Sequence, residues 1–230
     1  MDTWCETTIE LDTVNWKGRP IHVVNVPALK NMKTGQIRVY PSEVAKAEIA
    51  MLAEQYDLLP REALILLMLY AKPGPFKAGV LHHKYRMNKT LFYQWKEMEK
   101  EGWGDSIPHD QFEPAARGPV PKNLTCDLEH LYEKKLISLS WETWDRKPHE
   151  KLIAWEGWKK GPKDASLITE LTREGFQLAE KLWYEVPEPL REITLRVKER
   201  IFPLDPSTIR NRVHREYPEY KKRYTELDRD

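Results

Sequence analysis

The stretch ALILLMLY, residues 63–70, does most to restrict what this chain can become. Read at helical spacing it is apolar nearly all round, and a helix without a polar face has to be covered on every side. Pro60 sets its start, because proline suits a first helical turn and keeps the preceding residue out of the helical region. The prolines and glycine of KPGPF end it. The apolar tract is far shorter than the roughly 20 residues a membrane-crossing helix needs. No basic region followed by an apolar run opens the chain. A soluble, cytoplasmic protein built around a central helix is the expectation.

The elements available to cover that helix can be read in order. Residues 7–26 are rich in Thr, Val and Ile, with turn residues at 15–20, and predict a hairpin or a pair of edge strands; Gly35 opens another short strand, GQIRVY. Ile49, Leu52 and Tyr56 recur at helical spacing before Pro60. Beyond the apolar helix, GVLHHKYRM leads to a helix in which Asn88 is a good N-cap. In it Leu91, Trp95 and Met98 share one face, while Lys89, Tyr93, Gln94 and Lys96 fall mostly on the other. After a loop rich in Pro, Gly and Asp, Leu124, Leu128 and Leu131 mark a helix that ends at Lys135. Residues 137–140 change to strand period, and WETWDRKPHEKLIAWEGW reads as two strands around a polar tip at 145–150. A last strand, SLITEL, runs through Thr172 as N-cap into a helix whose Phe176, Ala179 and Trp183 face the core. Leu190, Ile193, Val197 and Ile201 mark a further helix. Asp205 and Pro206 start the last one, with Ile209, Val213 and Tyr220 in register.

This order of helices followed by a Trp-rich hairpin predicts a mainly α protein with small β (α+β). Its core is a winged helix-turn-helix module over residues 41–186, preceded by an N-terminal β element (1–40) and followed by a C-terminal helical extension (187–230). The 230 residues can bury one such core with its extensions. Such a fold reads DNA by laying one helix in the major groove while the wing touches the backbone or minor groove. The face of the Asn88 helix is the candidate reader. Its residues Lys89, Tyr93, Gln94 and Lys96, with Lys84 and Arg86 just before them, and Arg146, Lys147 and Lys151 on the wing, are the candidate nucleic-acid contacts. The expected function is non-enzymatic: a transcriptional regulator that binds double-stranded DNA, with the C-terminal helices as a possible homodimer contact.

Composition weighs against an easy version of that reading. The chain holds 37 Lys and Arg against 36 Asp and Glu, so no global positive field draws it to nucleic acid. Glu97, Glu99 and Glu101 share the helix with the proposed readers and repel phosphate. The main alternative is therefore a protein-interaction module on the same fold, antitoxin-like or an assembly component. A third reading, RNA or single-stranded nucleic acid, rests on Trp141, Trp144, Trp155 and Trp158, which can stack unpaired bases or equally fill a core or an interface. Catalysis and metal binding have little to stand on. Cys5 and Cys126 are far apart, His82 and His83 are adjacent without a third ligand, His109 has no partner nucleophile, and GPFKAG lacks the ending of a phosphate loop. No cofactor is expected. Seventeen prolines, ten glycines and 32% charged residues suit a heat-adapted protein.

Three stretches carry a resemblance. FEPAARGPVPKNLTCDLEHLYEKKLI has the run of an aromatic, a Gly-Pro turn, a helix and a closing Lys-Leu-Ile. ITELTREGFQLAEKL has the Leu-Thr-x-x-Gly entry to the helix after the wing, and PLDPSTIRNRVHREYPEY ends in Tyr-Pro-Glu-Tyr. Together they resemble the archaeal winged-helix proteins related to the Panacea antitoxin domain over roughly the C-terminal half, and the resemblance implies a fold and a mode of binding. A second pattern, IRVYPSEVAKAEIAMLAEQYDLLPREALI, is similar to ribbon-helix-helix repressors and would place Gln36, Arg38 and Tyr40 in the major groove. Its second helix is the one already needed as the first helix of the winged module.

Overall fold

A computed structural model describes residues 4–14, 20–39, 53–72, 82–101, 112–115, 118–143 and 165–221. The fold is α+β, with small antiparallel sheets beside a helical core. Strands β1 (Trp4–Val14) and β2 (Pro20–Asn31) pair antiparallel from Trp4 opposite Asn31 to Val14 opposite Pro20, with one irregularity between Ile9 and Leu11. A tight turn then sends β3 (Ile37–Val39) back along β2. The Asn31 side chain accepts the N–H groups of Lys33 and Thr34, and Gly35 takes φ +71, which glycine adopts without steric cost. The expected N-terminal strands are thus present. The ribbon of a ribbon-helix-helix dimer is not free to form from them, because β3 is committed to β2 and Arg38 lies over the Trp4 ring at 4.4 Å.

Helix α1 (Pro60–Tyr70) is the expected central helix, with every residue from Glu62 to Leu69 buried. The Glu62 carboxylate accepts the Leu59 N–H at 2.8 Å, which satisfies one of the donors a helix start leaves open. At the other end the Lys198 ammonium donates to the carbonyls of Leu69 (3.1 Å) and Ala71, satisfying orphan acceptors where the helix dipole favours a cation.

Strand β4 (His82–His83) runs straight into α2 (Lys84–Lys100). Asn88 is therefore one turn inside the helix, not its N-cap: β4 is held by pairing with the strand 165–171, and the helix begins where that pairing stops. After the small pair β5 (Phe112–Glu113) and β6 (Val120–Pro121) comes α3 (Leu124–Glu133), with Leu124, Leu128 and Leu131 buried as expected. It closes at Lys135, which takes φ +59, while the Leu136 N–H reaches back to the Leu131 carbonyl in a Schellman-type end. Strand β7 (Ile137–Thr143) pairs in strict register with β8 (Ala165–Leu171), and β4 flanks β8, giving the sheet order β4-β8-β7. The partner of β7 is thus SLITEL. The return strand and polar tip expected at 145–158 lie outside the described residues.

Thr172 caps α4 (Arg173–Glu185) by accepting the Gly175 N–H, as its sequence position predicts. Ala179 and Leu182 are buried there, and Phe176 and Trp183 flank them around Tyr70, with ring centroids 5.1 and 5.8 Å away. Helices α5 (Glu188–Ile201) and α6 (Pro206–Glu216) are in place, the latter capped by Asp205. Leu190, Ile193, Val197, Ile201, Ile209 and Val213 join α1 and α2 in one continuous core. No helix among the described residues is long and apolar enough to cross a membrane.

Candidate interaction surface

The side of α2 that carries Lys89, Tyr93 and Gln94 is not open to solvent. Leu91, Trp95 and Met98 pack as expected against the core, but the opposite side is buried too, because α5 and α6 lie across it. Lys89 is fully buried and its ammonium donates to the Pro119 carbonyl at 2.5 Å. Tyr93 is fully buried and its hydroxyl donates to Glu216 at 3.1 Å. The Gln94 amide, buried likewise, donates to the Thr194 hydroxyl at 2.8 Å. Arg86 donates to the Leu204 carbonyl and stacks on Phe202. Lys96 is half-buried, pairs with Glu99 and lies over the rings of Trp95, Tyr217 and Tyr220. The expectation that this face reads bases is therefore corrected for Lys89, Tyr93 and Gln94: a buried side chain already bonded within the protein cannot reach a groove. The glutamates beside them are used internally as well. Glu97 pairs with Lys100 and Arg200, and Glu101 with Arg196.

Burial also sets the protonation of this layer. Buried without a carboxylate partner among the described residues, the Lys89 ammonium is pushed down to about 7 by desolvation, and so is that of Lys198. His214 is lowered by burial and by the cations Lys221, Arg210 and Lys89. The Tyr93 phenol is raised by burial and by Glu216.

The other candidates fall elsewhere. Lys84 opens α2, and its side chain lies outside the described residues, as do Arg146, Lys147 and Lys151 entirely. Trp141 is half-buried against the core, while Trp144, Trp155 and Trp158 are outside the described residues.

The helix that immediately precedes the sheet's hairpin is α3. Its residues, LTCDLEHLYE, carry three carboxylates and no Lys or Arg. Asp127 is buried and bound by the Arg61 Nε at 2.7 Å to both oxygens; His130 Nδ1 meets the buried Glu62 carboxylate at 2.6 Å; Cys126 and Glu133 are exposed. These pairings join positions 66 and 68 residues apart, so no local spacing announces them.

Between α1, α2 and the start of α3 lies a small cleft of about 30 Å³. Leu64, Ile65, Leu91, Trp95, Phe112 and Leu124 are among the apolar residues that wall it, and Arg61 with Asp127 sits at its edge. Neither models of known protein families nor curated proteins match this sequence.

Proposed function

We propose that the chain is a non-catalytic interaction module with a winged-helix core, and that its partner is a protein. Support for the core comes from the element order α1, β4, α2, α3, β7, β8 and from the sheet order β4-β8-β7, in which a short first strand flanks a hairpin. Kinship with the archaeal proteins related to the Panacea domain is part of the same proposal and rests on the three stretches quoted above. The observation that carries the choice of partner is the composition of α3. In a winged helix of this element order the helix before the last two strands is the one that enters a major groove, and α3 presents the exposed Glu133 and the half-buried Glu129 with no Lys or Arg, a surface that repels a phosphate backbone. Near-zero net charge gives no compensating attraction.

Double-stranded DNA remains the second reading, carried by the wing cations Arg146, Lys147 and Lys151; homodimerisation through the C-terminal helices would have to use their outer faces. Fluorescence anisotropy with mixed duplex DNA at low salt separates the two readings. Wild type is expected not to bind, and the doubly substituted Glu129→Lys, Glu133→Lys variant to gain salt-sensitive binding. Tight wild-type binding that weakens steeply with salt and falls in Lys147→Glu would replace the protein reading with the DNA one. Lys89→Glu is no probe of a surface, since it places a carboxylate in the core.

A further inference from the structure

Among the described residues four large apolar side chains stand exposed, and two of them flank one turn: Met32 at 62% and Ile37 at 45%. The turn between β2 and β3 is held from inside. The buried Asn31 side chain accepts the Lys33 and Thr34 N–H groups; its main-chain N–H donates to the Gln36 carbonyl and its carbonyl accepts the Gly35 N–H, each at 2.8 Å. Every residue from Met32 to Arg38 is exposed around that anchor. Because Asn31 bonds to Gln36, the next pair along the ladder, Lys30 opposite Ile37, is a non-hydrogen-bonded one. The N–H and C=O of Ile37 therefore point away from β2, and no described strand lies on that side. Lys30, Lys33 and Arg38 surround this edge, and none of them has a carboxylate partner among the described residues. From Thr13 to Ser42 the chain holds no Asp or Glu. The opposite edge of the sheet, β1, carries Glu6, Glu10 and Asp12 and exposes no large apolar side chain among the described residues.

We propose that the β3 edge receives an extended segment of a partner protein in which apolar and acidic residues alternate, adding a further strand to the sheet. The inference rests on the protein-partner reading and gives that partner's chemistry. An outward N–H and C=O on one residue call for a backbone that offers both an acceptor and a donor. A peptide strand offers both; a phosphate backbone only accepts. Ile37 and Val39 share one face of β3 and Arg38 is on the other, so a strand laid beside them sets apolar side chains against the first face and carboxylates on the second. Lys30 and Lys33 favour the same acidic complement. A second copy of β3 is a poor occupant, because it brings Arg38 and Lys33 towards their own counterparts. A bilayer surface fits no better: Lys33, Thr34, Gly35 and Gln36 separate the two apolar residues, so no continuous apolar tip is there to insert. The anchored turn presents the edge in one shape, and docking costs it little conformational freedom.

The test is amide NMR of the full chain titrated with acetyl-Glu-Ile-Glu-Val-Glu-Ile-Glu-amide and with acetyl-Lys-Ile-Lys-Val-Lys-Ile-Lys-amide. The acidic peptide is expected to shift the Ile37 and Val39 amides and to slow their hydrogen exchange by about tenfold or more at saturation. It should bind about tenfold more tightly than the lysine peptide. Ile37→Pro removes the outward N–H without removing a ladder bond, as an edge strand tolerates, and should abolish binding while the amide signals of α1 and α3 stay in place. Lys33→Glu combined with Arg38→Glu should reverse the preference between the two peptides. Equal binding of both peptides overturns the acidic complement. Binding that persists in Ile37→Pro, or an acidic peptide that leaves the Ile37 and Val39 amides unmoved, overturns the docking edge. Movement of those amides by phosphatidylglycerol vesicles or duplex DNA, and not by peptide, assigns the surface to lipid or nucleic acid and overturns the proposal as well. The anisotropy titration with DNA decides separately whether the protein-partner reading falls with it.

Discussion

Two lysines buried without a counter-charge make stability depend on pH in an unusual direction. Lys89 and Lys198 are fully buried and pushed down to about 7, from 10.5 for an ordinary lysine. Between those values the unfolded chain binds a proton at each site that the folded chain does not, so stability rises as pH rises. The slope is at most about 1.4 kcal/mol per pH unit for each lysine, close to 3 for the pair. The carbonyls of Pro119, Leu69 and Ala71, and the C-terminal end of α1 at Lys198, favour the ammonium and act against desolvation. A rise of about 1.5–3 kcal/mol per unit is therefore expected from pH 7 towards 9. Above about pH 10 the trend reverses. Tyr56 and Tyr70 are pushed up to about 12 by burial and neighbouring carboxylates, and Tyr93 is raised further, so the unfolded chain then sheds protons that the fold retains. Urea unfolding followed by tryptophan fluorescence at about pH 7, 8 and 9 and constant ionic strength measures the slope. Lys89→Met and Lys198→Met should each remove about half of it. A flat or falling wild-type profile across that window, or a slope unchanged in both variants, refutes the assignment of neutral buried amines.

Other substitutions test the local devices. Gly175→Ala should destabilise by more than about 3 kcal/mol in thermal melts, because a Cβ there would sit 1.7 Å from the Leu136 carbonyl oxygen, a backbone atom that cannot step aside. Thr172→Ala loses the acceptor for Gly175 N–H and the donor to the Lys135 carbonyl, and should cost about 1–2 kcal/mol. Glu62→Ala removes the acceptor of Leu59 N–H and the partner of His130 from a fully buried position, and about 2–3 kcal/mol lost by urea unfolding is expected.

Local signals predicted local structure well. The apolar period over 63–70, the Thr172 and Asp205 caps and the leucines of α3 each specify an element by the residues within it, and each is found where the pattern places it. The face of α2 was misassigned for a physical reason. Lys, Gln and Tyr at one helical phase read as solvent-facing, and their burial depends on acceptors far along the chain: Pro119, Thr194 and Glu216. A buried lysine is rare enough that periodicity alone cannot foresee it. The Asn88 N-cap failed similarly, since the start of α2 is set by where β4 pairs with Thr169 and Ile168. Nothing local marks Arg61 or Asp127 as partners, and the cleft they edge is assembled from three helices and a small hairpin.

The same long-range burial decides what the C-terminal helices are for. As a sequence they read as an extension after a complete core, available to pair with a second copy. In the fold, Leu190, Ile193, Val197, Ile201, Ile209 and Val213 are all fully buried in the common core. At about 1.5–3 kcal/mol for each buried aliphatic side chain, they represent roughly 9–18 kcal/mol of apolar burial, against a total stability of about 5–15 kcal/mol for a typical domain. Their apolar faces are consumed within one chain, so self-association through these two helices has to use their outer faces. A fragment ending at residue 186 would also leave Lys89, Tyr93 and Gln94 without α5 and α6 above them, and would remove Lys198 from the end of α1. It is expected not to fold, by circular dichroism and by loss of a cooperative thermal transition. A cooperatively folded 1–186 fragment would show that the polar face of α2 can stand open, and would return that face to the search for a reading surface.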